Sequence, residues 1–233
     1  MSIPLLVEYY SEMPERRLKE DASSWRARLQ AATDTFRQRV EARYTEGTLV
    51  RLLESPSSQA RQASLMALGL VGTMTSNRAV ATRLHDNSAD VRKLAVDALW
   101  SLWFRADSEV NNRELQKLMR MRDREKALAG LDELVLRAPA YAEAYNQRAI
   151  VFFRMKEFER SVSDCEKVLQ LNPVHFGAQA GMAQSYLQMR KHKAALKAFR
   201  AALRIYPHME GVADTVRALE TALGEEGRRD DKK

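Results

Sequence analysis

Three of the chain's six prolines, Pro139, Pro173 and Pro207, stand 34 residues apart. Proline lacks the backbone N–H that a continuing helix needs, so each of these residues marks a point just beyond a helix end. A fixed period of this length is typical of helical hairpins that stack in an array. The spacing therefore predicts three consecutive hairpin repeats. They span residues 108–139, 142–173 and 176–207.

Residue size also repeats at this period. Twelve residues before each proline the chain has Ala127, Ser161 or Ala195; eight before, Leu131, Cys165 or Phe199; five before, Leu134, Val168 or Ala202. Small residues recur where two helices must approach closely, and bulkier residues recur where a gap must be filled. The pattern therefore indicates the same packing geometry in all three repeats.

These residues resemble the motif of the tetratricopeptide repeat (TPR) family. The middle repeat matches that motif, in order, with Tyr145, Ala149, Phe152, Phe158, Ser161, Val168 and Pro173. The last repeat matches with Met182, Ala183, Tyr186, Ala195, Phe199, Ala202 and Pro207. The first repeat matches only in its predicted second helix, residues 124–138. The resemblance implies a right-handed superhelix of hairpins, in which the first helix of each repeat lines a concave groove.

The N-terminal half repeats with a different period. A shift of 31 residues pairs Arg61 with Arg92, and the alanine and leucine at 67–68 with those at 98–99. Each unit consists of a short helix, a polar turn and a longer helix, which resembles HEAT-like repeats. Upstream, apolar residues at helical spacing between 25 and 44 predict a long helix that caps this end of the array.

The whole chain is therefore predicted to be all-α, an αα-solenoid of HEAT-like repeats, three TPR units and a C-terminal capping helix. The capping helix is predicted from Val212, Val216, Leu219 and Leu223, which follow a spacing of 4, 3 and 4 residues. The predicted domains are an N-terminal helical cap at 1–46, HEAT-like repeats at 47–106, a TPR domain with its capping helix at 107–223, and a charged flexible tail at 224–233.

Composition excludes several classes of protein. No apolar run approaches the roughly 18 residues that a membrane span requires. A single cysteine, Cys165, excludes an internal disulfide and suits a reducing compartment, so we expect a cytoplasmic protein.

Nothing in the sequence indicates catalysis, a metal or a cofactor. The four histidines lack metal-binding spacing, and no nucleotide-binding or nucleophile-elbow motif occurs. His175 and His208 each follow a repeat proline closely, which favours solvated turn residues. Cys165 falls at a packing position, where a small buried hydrophobe is expected. We therefore expect a protein that is not an enzyme.

The TPR resemblance implies a peptide-binding groove on the first helices of the repeats. The matching groove residues are Asn112, Gln116, Arg120, Asn146, Ile150, Phe153, Arg154, Gln184 and Gln188. Amide side chains both donate and accept, so they can satisfy the backbone of an extended segment. The apolar members can anchor a partner, and the arginines can bind a carboxylate. The alternative is that these positions are solvated and the array is only a structural spacer.

Charge is concentrated in the last repeat. Residues 174–207 contain six basic residues and no acidic ones, in a chain whose net charge is +7. The six form a basic stripe: Arg190, Lys191, Lys193, Lys197, Arg200 and Arg204. A solvated helix face is one interpretation. The other is an acidic partner, which could be nucleic acid, an anionic membrane surface or the chain's own tail.

Three functions therefore remain open at the level of sequence, of which the least favoured is regulation or assembly of an enzyme complex in cis with a genomic neighbour. The first is a scaffold or adaptor that binds a protein or peptide partner in the TPR groove. The alternative is a basic solenoid that binds nucleic acid or another polyanion through the third repeat, with Arg61 and Arg92 as further contacts. No aromatic residue interleaves the basic stripe to stack against bases, which favours the scaffold.

Overall fold

The computed structural model describes residues 5–230, and the side chains of residues 5–224. Within that range the chain forms helices and no β-strand. None of these helices is both long enough and apolar enough to cross a lipid bilayer. The helices are α1 (Leu5–Ser11), α2 (Ala22–Arg43), α3 (Glu46–Leu52), α4 (Ser58–Val71), α5 (Asn77–Thr82), α6 (Ala89–Phe104), α7 (Glu109–Met119), α8 (Arg124–Arg137), α9 (Ala142–Arg154), α10 (Phe158–Leu171), α11 (Phe176–Gln188), α12 (His192–Ile205) and α13 (Val212–Asp230), with 3₁₀ turns at Met74–Ser76 and Arg83–His85.

The chain divides into two compact units, Met1–Leu102 and Trp103–Lys233, which we call the N-terminal unit and the C-terminal unit. Apart from the ten residues between α1 and α2, short turns join successive helices in both units. The predicted all-α class is confirmed, and the succession of helical hairpins is that of an α-solenoid.

Polar caps set the starts of many helices. A side-chain oxygen at the residue before the helix accepts a hydrogen bond from a backbone N–H of the first turn, which has no partner within the helix. Such caps precede α2, α3, α4, α7 and α8, and they are Asp21, Thr45, Ser57, Ser108 and Asp123. The start of each of these helices is therefore determined by the residues immediately around it.

The N-terminal unit is held by aliphatic side chains from α3, α4 and α6. Leu49, Leu65 and Leu99 are completely buried. Helices α4 and α6 approach closely at Gly69, where an added Cβ atom would lie 3.3 Å from the Cα atom of Ala98. A larger residue at position 69 would push these two helices apart.

The 31-residue period of this unit is present in its hydrogen bonds. The Nη1 atom of Arg61 donates to the carbonyl oxygens five and six residues before it, at 3.2 and 2.8 Å. The Nη1 atom of Arg92 makes the same two bonds, at 3.1 and 2.8 Å. Ser57 and Ser88 each accept an N–H from three residues further on. The two turns therefore share one design, while their assignment to HEAT-like repeats stays a prediction.

A buried ion pair joins these two turns. Arg61 donates through Nε and Nη2 to the two carboxylate oxygens of Asp86, at 2.8 and 2.9 Å. Only 13% of the Arg61 side chain and 5% of the Asp86 side chain are exposed. Burial acts to raise the pKa of Asp86, but the hydrogen bonds from Arg61 and from the Ser88 N–H outweigh it and lower that pKa.

The C-terminal unit pairs α7 with α8, α9 with α10, and α11 with α12, and α13 packs on α12. Phe199 of α12 is buried in a cluster with Val216 and Leu219 of α13. Helix α13 continues to Asp230, so the backbone of residues 224–230, expected as a flexible tail, is helical. Residues 231–233 of that tail lie outside the described residues.

One arginine ties three helices of this unit together. Arg148 of α9 binds both carboxylate oxygens of Asp164 on α10 at 2.7 Å, and its Nη1 atom donates to Asp132 on α8 at 2.9 Å. The guanidinium also lies 5.5 Å from the ring centre of Tyr145 and 5.7 Å from that of Phe152. Because the Asp164 side chain is 7% exposed, its charge depends on this arginine for compensation.

We expect Arg148→Met to lower the free energy of unfolding by about 3 kcal/mol, because it leaves a buried carboxylate without its cation. The measurement is the midpoint of urea unfolding, followed by far-UV circular dichroism. The matched control is Arg113→Met, which removes an ion pair to Glu109 whose side chains are 69% and 81% exposed. This control should change the free energy by no more than about 0.5 kcal/mol. Equal midpoints for the two variants would show that the contacts of Arg148 with Asp164 and Asp132 do not stabilise the fold.

Candidate functional site

The predicted groove residues lie on the first helices of the hairpins, α7, α9 and α11, or just after them. Helices α9 and α11 contact each other directly. Five of the predicted residues are exposed and two are half-buried: Gln116, Arg120, Arg154, Gln184 and Gln188 are exposed, and Ile150 and Phe153 are half-buried. These seven form a candidate binding face, which we call the groove face.

Two arginines occupy equivalent positions on this face. Arg120 follows the last residue of α7, and Arg154, 34 residues later, is the last residue of α9. Among the described side chains, no carboxylate forms an ion pair with either guanidinium. The two acidic residues of α7 form ion pairs with other side chains: Glu109 pairs with Arg113, and Glu114 pairs with Lys117. The groove face therefore carries cations that remain open to an acidic ligand.

Apolar surface lies beside these arginines. The ring of Phe153 meets that of Phe158 edge-on, with 5.5 Å between the ring centres, so one side of Phe153 is supported by the protein. Met119 and Met121 flank Arg120 in sequence and are 44% and 37% exposed. Exposed methionine adapts its shape to an apolar ligand at low cost, because its side chain is unbranched.

Two of the predicted groove amides, Asn112 and Asn146, are hydrogen-bonded within the protein and are therefore not available to a ligand. Asn112 donates from Nδ2 to the backbone oxygen of Asp107 at 2.9 Å and accepts the Asp107 N–H at 3.3 Å. Asn146 is 3% exposed, and its Nδ2 atom donates to Glu143 at 2.9 Å. Both side chains therefore stabilise the repeats, and we remove them from the groove face.

A buried polar cluster stands where a solvated turn was expected. His175 is completely buried and precedes the first residue of α11. Its Nδ1 atom accepts the Ala178 N–H at 3.0 Å, so the ring proton resides on Nε2, which donates to the Glu143 carboxylate at 3.0 Å. The Trp103 ring stacks on the imidazole with 4.0 Å between the ring centres. The prediction of a solvated His175 was wrong.

Glu143 is equally inaccessible, with its side chain 0% exposed. Its carboxylate receives the amides of Asn146 and Gln147, at 2.9 and 2.6 Å, in addition to the His175 Nε2–H. Three donors from two repeats thus satisfy one buried carboxylate. This cluster links the start of α9 to the start of α11 and so fixes the spacing of the two groove helices.

The burial of His175 could have been predicted by comparing the residues at the same position of successive 34-residue repeats. Moving back one period from His175 gives Tyr141, the residue before α9. Tyr141 is also buried, and its hydroxyl donates to the Phe104 carbonyl oxygen at 2.8 Å. Burial strongly raises the pKa of Tyr141. An aromatic ring with a polar tip at this position in both repeats indicates a packing role.

The described side chains form no metal-binding cluster, and the one thiol among them is buried. No group of three or more His, Cys, Asp or Glu residues is arranged to hold a metal ion in that part of the chain. Cys165 is 2% exposed, and burial, followed by the nearby charge of Asp164, raises its pKa to about 12. A thiol held in this protonated form is a poor nucleophile at neutral pH.

The basic stripe is exposed along α12 and the turn before it, with one change. Arg190, Lys191, Lys193, Lys197, Arg200 and Arg204 are all exposed. Arg200, however, donates from Nη2 and Nε to Glu220 of α13, at 2.7 and 3.1 Å. This ion pair neutralises one charge near the middle of the stripe. For the other five side chains, no ion pair occurs among the described residues.

The fold and these contacts define the class first: a protein of stacked helical hairpins with an open face on its first helices. Family models then match two tetratricopeptide repeats, at residues 142–175 and 177–209. A TPR repeat-containing protein of Rhizobium etli is 39% identical over 97 residues, which cover 42% of this chain and 48% of that protein. The chain thus spans about half the length of this relative, and it contains two tetratricopeptide repeats.

Solved structures of TPR domains are similar to the chain at low identity. The first TPR of Spaghetti (RPAP3) bound to the HSP90 peptide SRMEEVD is 21% identical, with a TM-score of 0.46, and the match covers 49% of this chain and 91% of that one. The TPR2AB domain of yeast Sti1, in a complex with HSP90, is 16% identical, with a TM-score of 0.42, over 85% of this chain and 78% of that one.

We expect His175→Ala to lower the free energy of unfolding by about 3 kcal/mol, because Glu143 would remain buried with one donor fewer and α11 would lose its cap. Thermal unfolding followed by circular dichroism measures the loss. His208→Ala is the matched control, since that histidine also follows a repeat proline but is exposed. If both substitutions have equal effects, the cluster does not stabilise the repeats.

We expect the native Cys165 thiol to react with iodoacetamide at pH 8 about 1,000-fold more slowly than the same thiol in urea, because a pKa raised to about 12 leaves little thiolate. Mass spectrometry of quenched samples gives both rates. Native labelling at the unfolded rate would show that the thiol is not buried.

Proposed function

We propose that this chain is a non-enzymatic scaffold or adaptor that binds an acidic, apolar segment of a partner protein on the groove face. The observation that carries the proposal is the pair of exposed guanidiniums, Arg120 and Arg154, at equivalent ends of successive first helices, which form no ion pair with any described residue. The two tetratricopeptide repeats support the same class of function, because this family is known for protein–protein interaction.

Each part of the face has a distinct role in this proposal. Ile150 and Phe153 bury one or two apolar side chains of the partner, and this burial supplies most of the affinity. Arg120 and Arg154 bind carboxylates, and these contacts fix the register of the segment. The amides of Gln184 and Gln188 donate to and accept from its backbone.

The arrangement also explains why the face is suited to a flexible segment. Helices α9 and α11, which carry most of it, are held by the contacts of Arg148 with Asp132 and Asp164 and by the Glu143–His175 cluster, so this part of the face is ordered before binding. A partner segment that becomes ordered on binding then bears most of the entropic cost. The lone buried thiol fits a reducing compartment, and we place the protein in the cytoplasm on that ground.

The test starts from peptides selected on the immobilised full-length chain from a random display library. We expect the selected peptides to be enriched in Asp or Glu together with Leu, Ile, Phe or Met. For the best of them, fluorescence anisotropy should show about ten-fold or greater weakening for both Phe153→Ala and Arg154→Ala. Arg217→Ala on α13 is the control, since that exposed arginine lies off the groove face. Selection of basic peptides, or equal effects of all three variants, would overturn the proposal.

A second candidate function has its own observation. Five exposed basic residues of the basic stripe lack ion pairs among the described residues, which supports binding of a polyanion such as nucleic acid. The Arg61 contact proposed from sequence is not available to such a ligand, because its guanidinium is held by Asp86.

Salt separates the two candidates. Binding of a single-stranded oligo-dT to the basic stripe would weaken with salt, with a slope of about −0.7 per phosphate contact in a plot of log K against log salt. Lys193→Glu/Lys197→Glu would abolish it. We expect instead that groove peptides keep their affinity in this double variant. If the double variant loses peptide binding while Phe153→Ala keeps it, the basic stripe and not the groove face is the binding surface.

A further inference from the structure

The two polar turns of the N-terminal unit each anchor an arginine in the same way. In both, Nη1 is fixed by two backbone carbonyls, those of residues 55 and 56 for Arg61 and those of residues 86 and 87 for Arg92. This anchoring removes much of the freedom of a long side chain before any ligand arrives. It leaves Nε and Nη2 as a preset pair of donors on each guanidinium.

The chain itself shows what this pair of donors binds. On Arg61, Nε and Nη2 are filled by the two oxygens of Asp86, at 2.8 and 2.9 Å. The Asp86 carbonyl oxygen in turn accepts from Nη1 of Arg92 at 2.8 Å. Arg61, Asp86 and Arg92 thus form a ladder, in which the Asp86 carboxylate is bound by the arginine of the preceding repeat and the Asp86 backbone oxygen by the arginine of its own repeat.

The ladder stops at Arg92. Among the described residues, its hydrogen bonds are the two made by Nη1, and no acceptor pairs with its Nε or Nη2. Arg92 is half-buried, which is compatible with an anchored guanidinium that is still partly open to a ligand. Arg92 is therefore anchored in the same way as Arg61, the arginine of the preceding repeat, which binds a carboxylate.

We propose that Arg92 is a carboxylate-binding site, and that its ligand is an aspartate or glutamate on a helix-connecting turn of a partner protein. A planar fork of two N–H donors matches the two oxygens of a carboxylate, and the Arg61–Asp86 pair shows this match within the chain. The site lies in the N-terminal unit and is independent of the groove face proposed above.

A second copy of the chain does not supply this ligand through the two equivalent turns of its N-terminal unit. The carboxylate of Asp86 is taken by Arg61, and the equivalent position one period earlier is Ser55, which has no carboxylate. Charge and geometry therefore favour a different protein, whose turn carries the acid in the place that Asp86 occupies here.

The test uses the ¹⁵N-labelled full-length chain and observes the Nε–Hε signals of its arginines by NMR. The probe is an eight-residue peptide with the sequence of residues 84–91, the turn that presents Asp86, with blocked ends and with asparagine in place of Asp90, so that Asp86 is its one carboxylate. A second peptide has asparagine in place of that aspartate. Arg92→Lys assigns the Arg92 signal and tests the need for a fork, and Arg78→Lys is the control, since Arg78 is exposed in the same unit.

We expect the Arg92 signal to shift saturably with the aspartate peptide, with at least ten-fold weaker binding of the asparagine peptide. The Arg61 signal should not move, because its donors are already occupied. Binding should be lost in Arg92→Lys and kept in Arg78→Lys.

Three results would overturn the proposal. The first is equal binding of the two peptides. The second is an Arg92 signal that, without peptide, already shows the slow exchange of a hydrogen-bonded Nε–H, as at Arg61. The third is tighter binding of inorganic phosphate than of the aspartate peptide at matched ionic strength, which would make the site one for phosphate.

Discussion

A helical hairpin of about 30 residues cannot bury its apolar faces alone, so every repeat of an array depends on the next one for its core. In the C-terminal unit this dependence is met by bulky residues facing small ones, as with Phe199 against Ala183 and against the end helix α13. The last repeat would expose this cluster without α13. Stability here is therefore a property of contacts between neighbours, and each hairpin is stable only in its place.

Apolar packing leaves the register between neighbours loosely defined, and polar links supply the rest. Arg61–Asp86, Arg148 with its two aspartates, and Glu143–His175 each connect groups from successive hairpins. Each link buries charge or polar atoms that find full hydrogen bonding in one alignment only. A slip of one residue would leave a buried carboxylate without its donors. The two links of the C-terminal unit, at Arg148 and at Glu143–His175, thus fix the helices that carry the groove face, and Arg61–Asp86 does the same for the two turns of the N-terminal unit.

The sequence was sufficient for the fold because period and residue size are local records of packing. Proline spacing predicted the three hairpins of the C-terminal unit, and a second period predicted the paired turns of the other. It was not sufficient for the site, because hydrogen-bond partners come from elsewhere. Asn146 matches a ligand-facing position, yet its amide is taken by Glu143, which is itself buried against a histidine 32 residues away. The extent of α13 was missed because charged residues continue a helix as well as they end one.

Trp103 shows that the domain boundary predicted from the sequence would separate residues that pack together within the C-terminal unit. It stands before the domain boundary predicted at residue 106, yet its ring stacks on His175, and the carbonyl oxygen of the neighbouring Phe104 accepts a hydrogen bond from the Tyr141 hydroxyl. A fragment that begins at residue 107 would thus lack the ring that stacks on the buried His175 and the acceptor for the buried Tyr141 hydroxyl. Any expressed version of the C-terminal unit, or any chimera that grafts it onto another protein, has to begin upstream of Trp103.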